Sequence, residues 1–308
     1  MAIVGAGVIG RAWGVAFLAH GHDVTVWDPQ PGTHAAIERD VAGAWAAVRS
    51  LGGDLDGWPD RISIADSLTQ AVADADFVQE CGPERLDVKA ETLRELDRLA
   101  RADTVIASST STIMASELAR PCERHPERVL VGHPFNPVHL VPLVEVVGGP
   151  TTSDASLDRA EAIYRSIGKR PVRLRREVPG HLANRLQAAL WREAYSLVQQ
   201  GVATVADIDA VIAHGPGLRW AILGPLLNQH LSGGPGGIAH VLEHLGPPTQ
   251  AVMDSLGAPR LSAELTTLLV QGVADELAGL DLAALTRTRD TLLVDLLAQK
   301  QDSPALPR

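Results

Sequence analysis

The chain has 308 residues, of which 45% are hydrophobic and 21% are charged, a composition typical of a globular protein with one large or two medium domains. A formal net charge of −10 without a dense basic run argues against nucleic acid or an anionic membrane as a partner. No apolar stretch is long enough for a bilayer, and no signal peptide precedes the first motif. With only Cys81 and Cys122, we expect a cytoplasmic protein without disulfide bonds.

From residue 1 to about residue 175, short apolar runs alternate with longer amphipathic stretches. Strands that alternate with helices predict a parallel sheet covered on both faces. The predicted strands are 2–4, 23–28, 61–65, 76–80, 104–109, 128–133, 142–147 and 171–174, and the helices between them include 8–20, 86–100 and 153–166.

The strand pattern ends at the sequence EVPG, residues 177–180, and helical periodicity follows. We therefore predict two domains, 1–178 and 179–308, with the boundary near Pro179. The helices predicted in the second domain are 180–201, 205–213, 222–232, 236–245, 261–278 and 281–299.

The sequence IVGAGVIG places Gly5, Gly7 and Gly10 in a G-x-G-x-x-G pattern between the first predicted strand and helix. Glycines allow a tight turn and a close backbone approach to a pyrophosphate, and the helix start, with Val8 and Ile9, offers unpaired N–H groups. The pattern therefore predicts a dinucleotide site. Only MAIV precedes it, so we expect a few residues to be missing from the N-terminus of this sequence.

Asp28 ends the second predicted strand, close to the spacing of about twenty residues at which a carboxylate meets the adenosine ribose. The carboxylate would accept both ribose hydroxyls and repel a 2′-phosphate, and no arginine follows at once to reverse this preference. The cofactor predicted is NAD rather than NADP. The alternative is a structural glycine turn followed by a strand-end aspartate.

The stretch GHPFNPVHLVPLVEVVGG places His133 at the end of one predicted strand and Glu145 inside the next. A carboxylate flanked by apolar residues is costly to bury unless it is paired. A histidine is a natural partner, because the carboxylate would orient the imidazole as a general base. The spacing equally allows a backbone-bonded glutamate and a histidine that only ends a strand.

Several motifs in order resemble the 3-hydroxyacyl-CoA dehydrogenase superfamily over nearly the whole chain: GAGVIG, QECGPERLDVK, SSTSTI, HPFNPVHLVPLVEVV and VPGHLANRLQAALWREA. GPGLRWAILGP and HPERVLVGHPFNPV are similar to its lambda-crystallin, L-gulonate 3-dehydrogenase and L-carnitine dehydrogenase branch. The resemblance implies an α/β fold, with a Rossmann-type doubly wound sheet followed by an all-α C-terminal domain. It also implies an NAD-dependent homodimer.

The resemblance implies roles for six positions. His133 would be the general base, with Glu145 as its orienting carboxylate, and a bound NAD would receive hydride from the carbinol carbon. Four further residues follow from the same motifs: Ser111 and Asn184 would bond the reacting oxygen or the histidine, and Glu84 and Lys89 would lie beside the nicotinamide end of the cofactor.

Arg219 and Trp220 lie in GPGLRWAILGP, which we interpret as a glycine-lined turn. A free hydroxy acid offers only its carboxylate for tight binding, and the planar fork of arginine matches it. The alternative is a helix-end arginine that bonds carbonyls beside a core tryptophan. The branch resemblance favours substrate binding.

Carnitine would in addition need aromatic walls for its trimethylammonium group. The candidates are Phe135, Trp191, Tyr195 and Trp220. His139, however, stands in NPVHL where a carnitine dehydrogenase is expected to have an aromatic residue, and GGPGGIAHVLEHLGPP lacks an expected phenylalanine. The substrate therefore stays open.

HVLEH, residues 240–244, matches a zinc-hydrolase pattern. No second acidic motif follows it, and we predict no metal site. Cys81 has no neighbouring base to form a thiolate, so packing explains it better.

The sequence leaves three functions open. The first is an NAD-dependent oxidoreductase that interconverts a short 3-hydroxy acid, carnitine-like or related, and its 3-keto acid. The second is a 3-hydroxyacyl-CoA dehydrogenase such as one for 3-hydroxybutyryl-CoA. The third is a non-catalytic NAD-binding or structural protein.

Overall fold

The computed structural model describes residues 1–30 and 32–307. The chain divides into two compact units, Met1–Arg185 and Leu186–Arg308. The first unit contains a sheet with helices and the second is helical, which confirms the predicted fold class. No helix in the described parts of the chain combines the length and apolar character that a membrane crossing requires.

One eight-stranded sheet forms the first unit, in the order β3-β2-β1-β4-β5-β6-β7-β8. Each predicted strand is present. The strands are β1 (Ala2–Val4), β2 (Val24–Trp27), β3 (Ile62–Ile64), β4 (Phe77–Glu80), β5 (Val105–Ser108), β6 (Val129–Pro134), β7 (Leu143–Val147) and β8 (Arg170–Arg173).

The pairing of β6 with β7 is antiparallel, whereas every other neighbouring pair is parallel. The predicted all-parallel sheet is therefore wrong at this pair. A parallel return needs a crossover of about a dozen residues or more, usually a helix. Residues 135–142 are too short for one, so the chain turns back beside β6.

Helices cover the sheet of the first unit. On one side, Trp13 stacks on Phe17 at 5.6 Å between ring centroids and lies 5.3 Å from the ring of Tyr164. These rings are fully buried and anchor the first helix to the strands. The helices are α1 (Val8–Leu18), α2 (Thr33–Ser50), α3 (Leu68–Val72), α4 (Leu86–Leu99), α5 (Ala115–Ala119) and α6 (Asp154–Ser166).

The second unit continues the helical series, and its first helix begins at the end of the first unit. Its helices are α7 (Ala183–Gln199), α8 (Val205–His214), α9 (Pro216–Leu223), α10 (Pro225–Ser232), α11 (Gly237–Ser255), α12 (Ala263–Glu276) and α13 (Leu282–Gln301).

Three predictions about this unit are wrong. The predicted turn around Arg219 is helix α9, because Pro216 at its first turn has a backbone suited to starting a helix. The single helix predicted at 222–232 is broken at Gly224, whose φ of 79° is left-handed. Helix α11 runs past its predicted end and through Pro247 and Pro248, against the usual helix-breaking tendency of proline.

Candidate active site

The glycine motif forms the turn between β1 and α1. A Cβ on Gly5 would lie 2.8 Å from the carbonyl of Cys81, and one on Gly10 would lie 1.8 Å from the oxygen of Gly5. Gly5 also has a left-handed φ of 98°. The fold therefore requires glycine at both positions for close backbone packing.

Gly7 is different, because a Cβ there would meet no protein atom within 4 Å. It is the N-cap of α1 and brings no side-chain cap to the first N–H groups of this helix, which starts at Val8 and Ile9. The open space and the uncapped helix start fit the pyrophosphate of a dinucleotide.

Asp28 follows β2 and lies beside this turn. One carboxylate oxygen accepts a hydrogen bond from the N–H of Ala6 at 2.5 Å, and the other accepts from the N–H of Gln30 at 2.8 Å. The side chain is half-buried, and each of its oxygens has a second lone pair. The arrangement suits a carboxylate that also receives ribose hydroxyls.

His133 and Glu145 are directly opposed residues on the antiparallel strands β6 and β7. The imidazole Nδ1 donates to Glu145 Oε2 at 2.9 Å. Both residues are buried, with 5% and 1% of their surfaces exposed. This carboxylate–imidazole pair is the alternative that the sequence left undecided.

The second oxygen of Glu145 accepts the N–H groups of Leu182 and Ala183, at 2.8 and 3.0 Å. Burial raises the pKa of this carboxyl, but the bonds from His133 and the two N–H groups outweigh burial and leave the pKa below its usual value. Glu145 is therefore a carboxylate, and it directs the hydrogen of His133 to Nδ1.

The loop after β5 carries Ser111, and Glu84 holds this loop. One oxygen of Glu84 accepts from the Thr110 hydroxyl at 2.7 Å, from the Ser111 N–H at 2.9 Å, and from the N–H and hydroxyl of Thr112 at 3.0 and 2.9 Å. Burial opposes the charge, yet these bonds keep the pKa of Glu84 below its usual value. No pattern in the sequence indicated this contact.

Lys89 is only 1% exposed and its ammonium binds Glu80 at 2.9 and 3.0 Å. It also donates to the carbonyl of Gly82, and the Ser108 hydroxyl completes the cluster by donating to Glu80. These bonds use its hydrogens inside the protein. A contact between Lys89 and a cofactor stays a prediction.

Asn184 lies in the first turn of α7, and its amide donates to the backbone carbonyl of Ser111 at 3.1 Å. It therefore ties the start of this helix to the Ser111 loop. The Ser111 and Asn184 side chains make no hydrogen bond to His133 among the described residues, so their contact with a reacting oxygen stays a prediction.

Two rings contact the imidazole of His133. Phe135 meets it edge-on at 5.1 Å between centroids, and His181 lies 5.3 Å away at a tilt of 47°. His181 was not predicted from the sequence. The signal that could have found it is an ionisable residue directly after Pro-Gly and before a predicted helix.

The substrate candidates Arg219, Trp220 and Trp191 belong to the second unit. The guanidinium of Arg219 is exposed and has no hydrogen bond or ion pair within residues 1–30 and 32–307, unlike an arginine that bonds helix-end carbonyls. Trp220 and Trp191 are 39% and 47% exposed, so neither is a core residue. Tyr195 is half-buried.

The histidines of the HVLEH sequence lie on α11, with ring centroids 4.1 Å apart. His244 Nδ1 donates to the carbonyl of His240 rather than facing a shared centre. Across the described chain, no group of three or more His, Cys, Asp or Glu residues is arranged to hold a metal ion. Burial raises the pKa of Cys81 to about 12, which makes this thiol unreactive.

Residues 1–178 match the family "3-hydroxyacyl-CoA dehydrogenase, NAD binding domain", and residues 180–269 match "3-hydroxyacyl-CoA dehydrogenase, C-terminal domain". The L-carnitine dehydrogenase of Streptomyces griseus is 48% identical over 96% of this chain and 88% of that protein. The L-carnitine dehydrogenase of Pseudomonas aeruginosa is 44% identical over 99% and 94%. A solved 5-formyl-3-hydroxy-2-methylpyridine 4-carboxylic acid 5-dehydrogenase, described as an NAD+-dependent dismutase, superimposes with a TM-score of 0.82 at 26% identity over 97% of both chains.

Proposed function

This chain belongs to the 3-hydroxyacyl-CoA dehydrogenase family and is an NAD-dependent dehydrogenase of CH–OH donors, and we propose that it oxidises a short, free 3-hydroxy acid of the L-carnitine type. The observation that carries the chemistry is the buried pair of His133 and Glu145. The named relatives support the substrate class, since those at 42–48% identity are L-carnitine dehydrogenases.

His133 acts as the general base in this proposal. Its Nδ1 hydrogen is held by the ionised Glu145, so Nε2 carries the lone pair that takes the proton of the substrate hydroxyl. Glu145 then stabilises the imidazolium, and two backbone N–H groups keep the carboxylate in place. NAD, when bound, accepts the hydride of the carbinol carbon.

The residues around the glycine turn would hold the cofactor. The N–H groups at the start of α1 would bind its pyrophosphate over Gly7, and Asp28 would bind the adenosine ribose. Glu84 contributes indirectly, because it holds the loop in which Ser111 lies. Ser111 and Asn184 are proposed to bond the reacting oxygen.

Arg219 is proposed to pair with the substrate carboxylate. Its exposed guanidinium has no protein partner among the described residues, and a bidentate ion pair is the contact for which arginine is suited. Trp220, Trp191 and Phe135 are the proposed aromatic contacts for a trimethylammonium group, and the partial exposure of both tryptophans supports this role.

A substrate comparison tests the proposal. Purified protein is given NAD with L-carnitine, 3-hydroxybutyrate, L-gulonate or 3-hydroxybutyryl-CoA, and NADH absorbance is followed. The highest kcat/KM should belong to L-carnitine or another free 3-hydroxy acid. A higher value for the CoA ester would contradict the proposed substrate class, and no NADH with any compound would favour the non-catalytic alternative.

Arg219→Met tests the carboxylate contact. Because a charge-assisted bidentate bond contributes about 1.5–3 kcal/mol, kcat/KM for the free acid should fall about ten- to hundredfold. Arg219→Lys should recover only part of this, since an ammonium lacks the planar fork. The methyl ester of the substrate should be nearly insensitive to either change.

Arg260→Met is the matched control, because Arg260 is also exposed and its side chain has no partner in the described chain. It should leave kcat/KM for the acid unchanged. Equal losses for acid and ester with Arg219→Met would contradict the proposed role of Arg219.

The proposal includes a homodimer in the cytoplasm. Most exposed large apolar side chains belong to the second unit, for example Leu261 at 71% and Val270 at 65%, which supports a subunit contact there. The two free cysteines suit a reducing compartment. Light scattering at micromolar concentration should give twice the chain mass of 32.6 kDa.

A further inference from the structure

His181 is a buried imidazole beside the proposed base. Only 1% of its surface is exposed, and its ring centroid lies 5.3 Å from that of His133. Its φ of 52° is left-handed, which is unusual for a residue other than glycine. Such conformations persist where the surroundings impose them, often at functional sites.

The hydrogen bond of His181 defines its tautomer. Nε2 lies 3.2 Å from the backbone carbonyl of Thr110, and a carbonyl can only accept, so Nε2 carries the hydrogen. Nδ1 then carries a lone pair, and it is buried without a hydrogen-bond partner. Protonation at Nδ1 would leave a buried N–H unsatisfied, which is costly.

The charged and titratable neighbours of His181 come from three directions. Burial lowers its pKa most, and His133 on β6 lowers it further, whereas the Thr110 carbonyl, Glu145 on β7 and Glu84 raise it. The net direction is downward, so His181 stays neutral. Of the two imidazoles, only His133 has both a carboxylate partner and a nitrogen able to take a proton.

His181 also lies at the centre of contacts that orient the site. Its Nε2 holds the backbone directly before Ser111, and the next two residues, Leu182 and Ala183, donate their N–H groups to Glu145. A neutral ring at this distance attracts the positive charge that His133 gains when it takes a proton. The same short turn thus contacts the Ser111 loop, the base and its carboxylate.

We propose that His181 is a positioning residue of the dehydrogenase site, which as a neutral ring fixes the His133 imidazole and the Ser111 loop relative to each other. This inference rests on the proposed function for its kinetic test. It assigns His181 no proton transfer of its own.

His181→Gly tests the inference because glycine suits the left-handed backbone while removing the ring. Misplacement of a catalytic group by about 1 Å costs on the order of a hundredfold, so kcat should fall about ten- to hundredfold. The Kd of NADH, measured by fluorescence, should stay within about twofold. Imidazole in the buffer should restore part of kcat, and the restoration should follow the neutral fraction of imidazole as pH is varied.

His20→Phe is the control, since His20 also donates to a backbone carbonyl, that of Ala16 at 2.9 Å, and lies outside the site. It should leave kcat unchanged. His181→Phe keeps a ring but loses the donor, and its kcat should lie between those of wild type and His181→Gly. A kcat for His181→Gly within about twofold of wild type would overturn the inference, as would losses in kcat and NADH affinity of equal size without rescue.

A spectroscopic readout separates failure of this inference from failure of the proposed function. In protein with isotope-labelled histidine, the ring signals of His133 should move in His181→Phe and stay in place in His20→Phe. If wild type oxidises none of the tested hydroxy acids, the proposed function fails while these signals still judge the positioning role. Unmoved His133 signals in His181→Phe would overturn it.

Discussion

Glu145 lies directly opposite His133 on an antiparallel strand pair, and its two carboxylate oxygens bind different partners. One oxygen accepts the imidazole hydrogen and the other accepts two backbone N–H groups. The carboxylate is therefore held independently of the imidazole. It can keep the ring oriented through a cycle in which the ring gains and loses a proton.

Removing either member of this pair should abolish most turnover and leave cofactor affinity intact. His133→Ala removes the base, and Glu145→Gln removes the charge that stabilises its protonated form. A positioned general base contributes about 10²–10⁴-fold, so kcat should fall by that factor in His133→Ala. The measurements are NADH formation and the Kd of NADH.

Glu127→Gln is a matched control, because Glu127 accepts from His125 at 3.0 Å in an exposed pair. It should leave kcat unaltered. Near-normal turnover in both His133→Ala and Glu145→Gln would refute the assignment of the pair.

Replacement of Asp28 should change the choice between NAD and NADP. In Asp28→Asn the size is kept and the repulsion of a 2′-phosphate is lost, so the ratio of kcat/KM for NAD to that for NADP should narrow. The asparagine oxygen can still accept the N–H of Ala6. A wild type that already prefers NADP would show that the role assigned to Asp28 is wrong.

Two glycines of α1 separate folding from cofactor binding. A Cβ on either Gly7 or Gly14 would meet no protein atom within 4 Å, so both alanine variants should fold with unchanged or slightly higher thermal stability. Only Gly7→Ala places a methyl group where the pyrophosphate is proposed to lie. We expect Gly7→Ala to raise the Kd of NADH by about tenfold or more, with Gly14→Ala unchanged. Equal affinities in the two variants would move the pyrophosphate away from Gly7.

Lys169 should give the protein a defined pH dependence of stability. Its ammonium is buried, donates to the carbonyls of Val138 and Val141, and lies 5.9 Å from the ring centroid of Trp13. Burial lowers its pKa from 10.5 to about 7. Between these values the unfolded chain binds the proton more strongly, so this residue makes stability rise with pH.

The test compares urea unfolding of wild type and Lys169→Met at several pH values. Relative to the variant, wild type should gain unfolding free energy as pH rises from about 7 to about 10, and the difference should be constant below about 7. Lys300→Met is the control, because Lys300 donates to the carbonyl of Ala221 and should show no such trend. A difference independent of pH would contradict the assignment to Lys169.

The sequence by itself determined the features that depend on neighbouring residues. The spacing of Gly5, Gly7 and Gly10 after an apolar run predicts the phosphate turn, because the turn is built by those residues alone. Periodicity likewise predicts each strand of the sheet, and Asp28 follows from its distance along the chain. Motif resemblance supplied the family and the roles of His133 and Glu145, which spacing had left undecided.

Only the tertiary structure decided which residues meet across the sheet and its loops. The contact of His133 with Glu145 depends on an antiparallel return that the periodicity does not encode, since a period of two is the same for either direction. The hold of Glu84 on the Ser111 loop and the ring of His181 beside His133 join segments far apart in sequence. Such contacts follow from packing of complete elements, because hydrogen bonds and ring contacts require positions in space that local spacing does not specify.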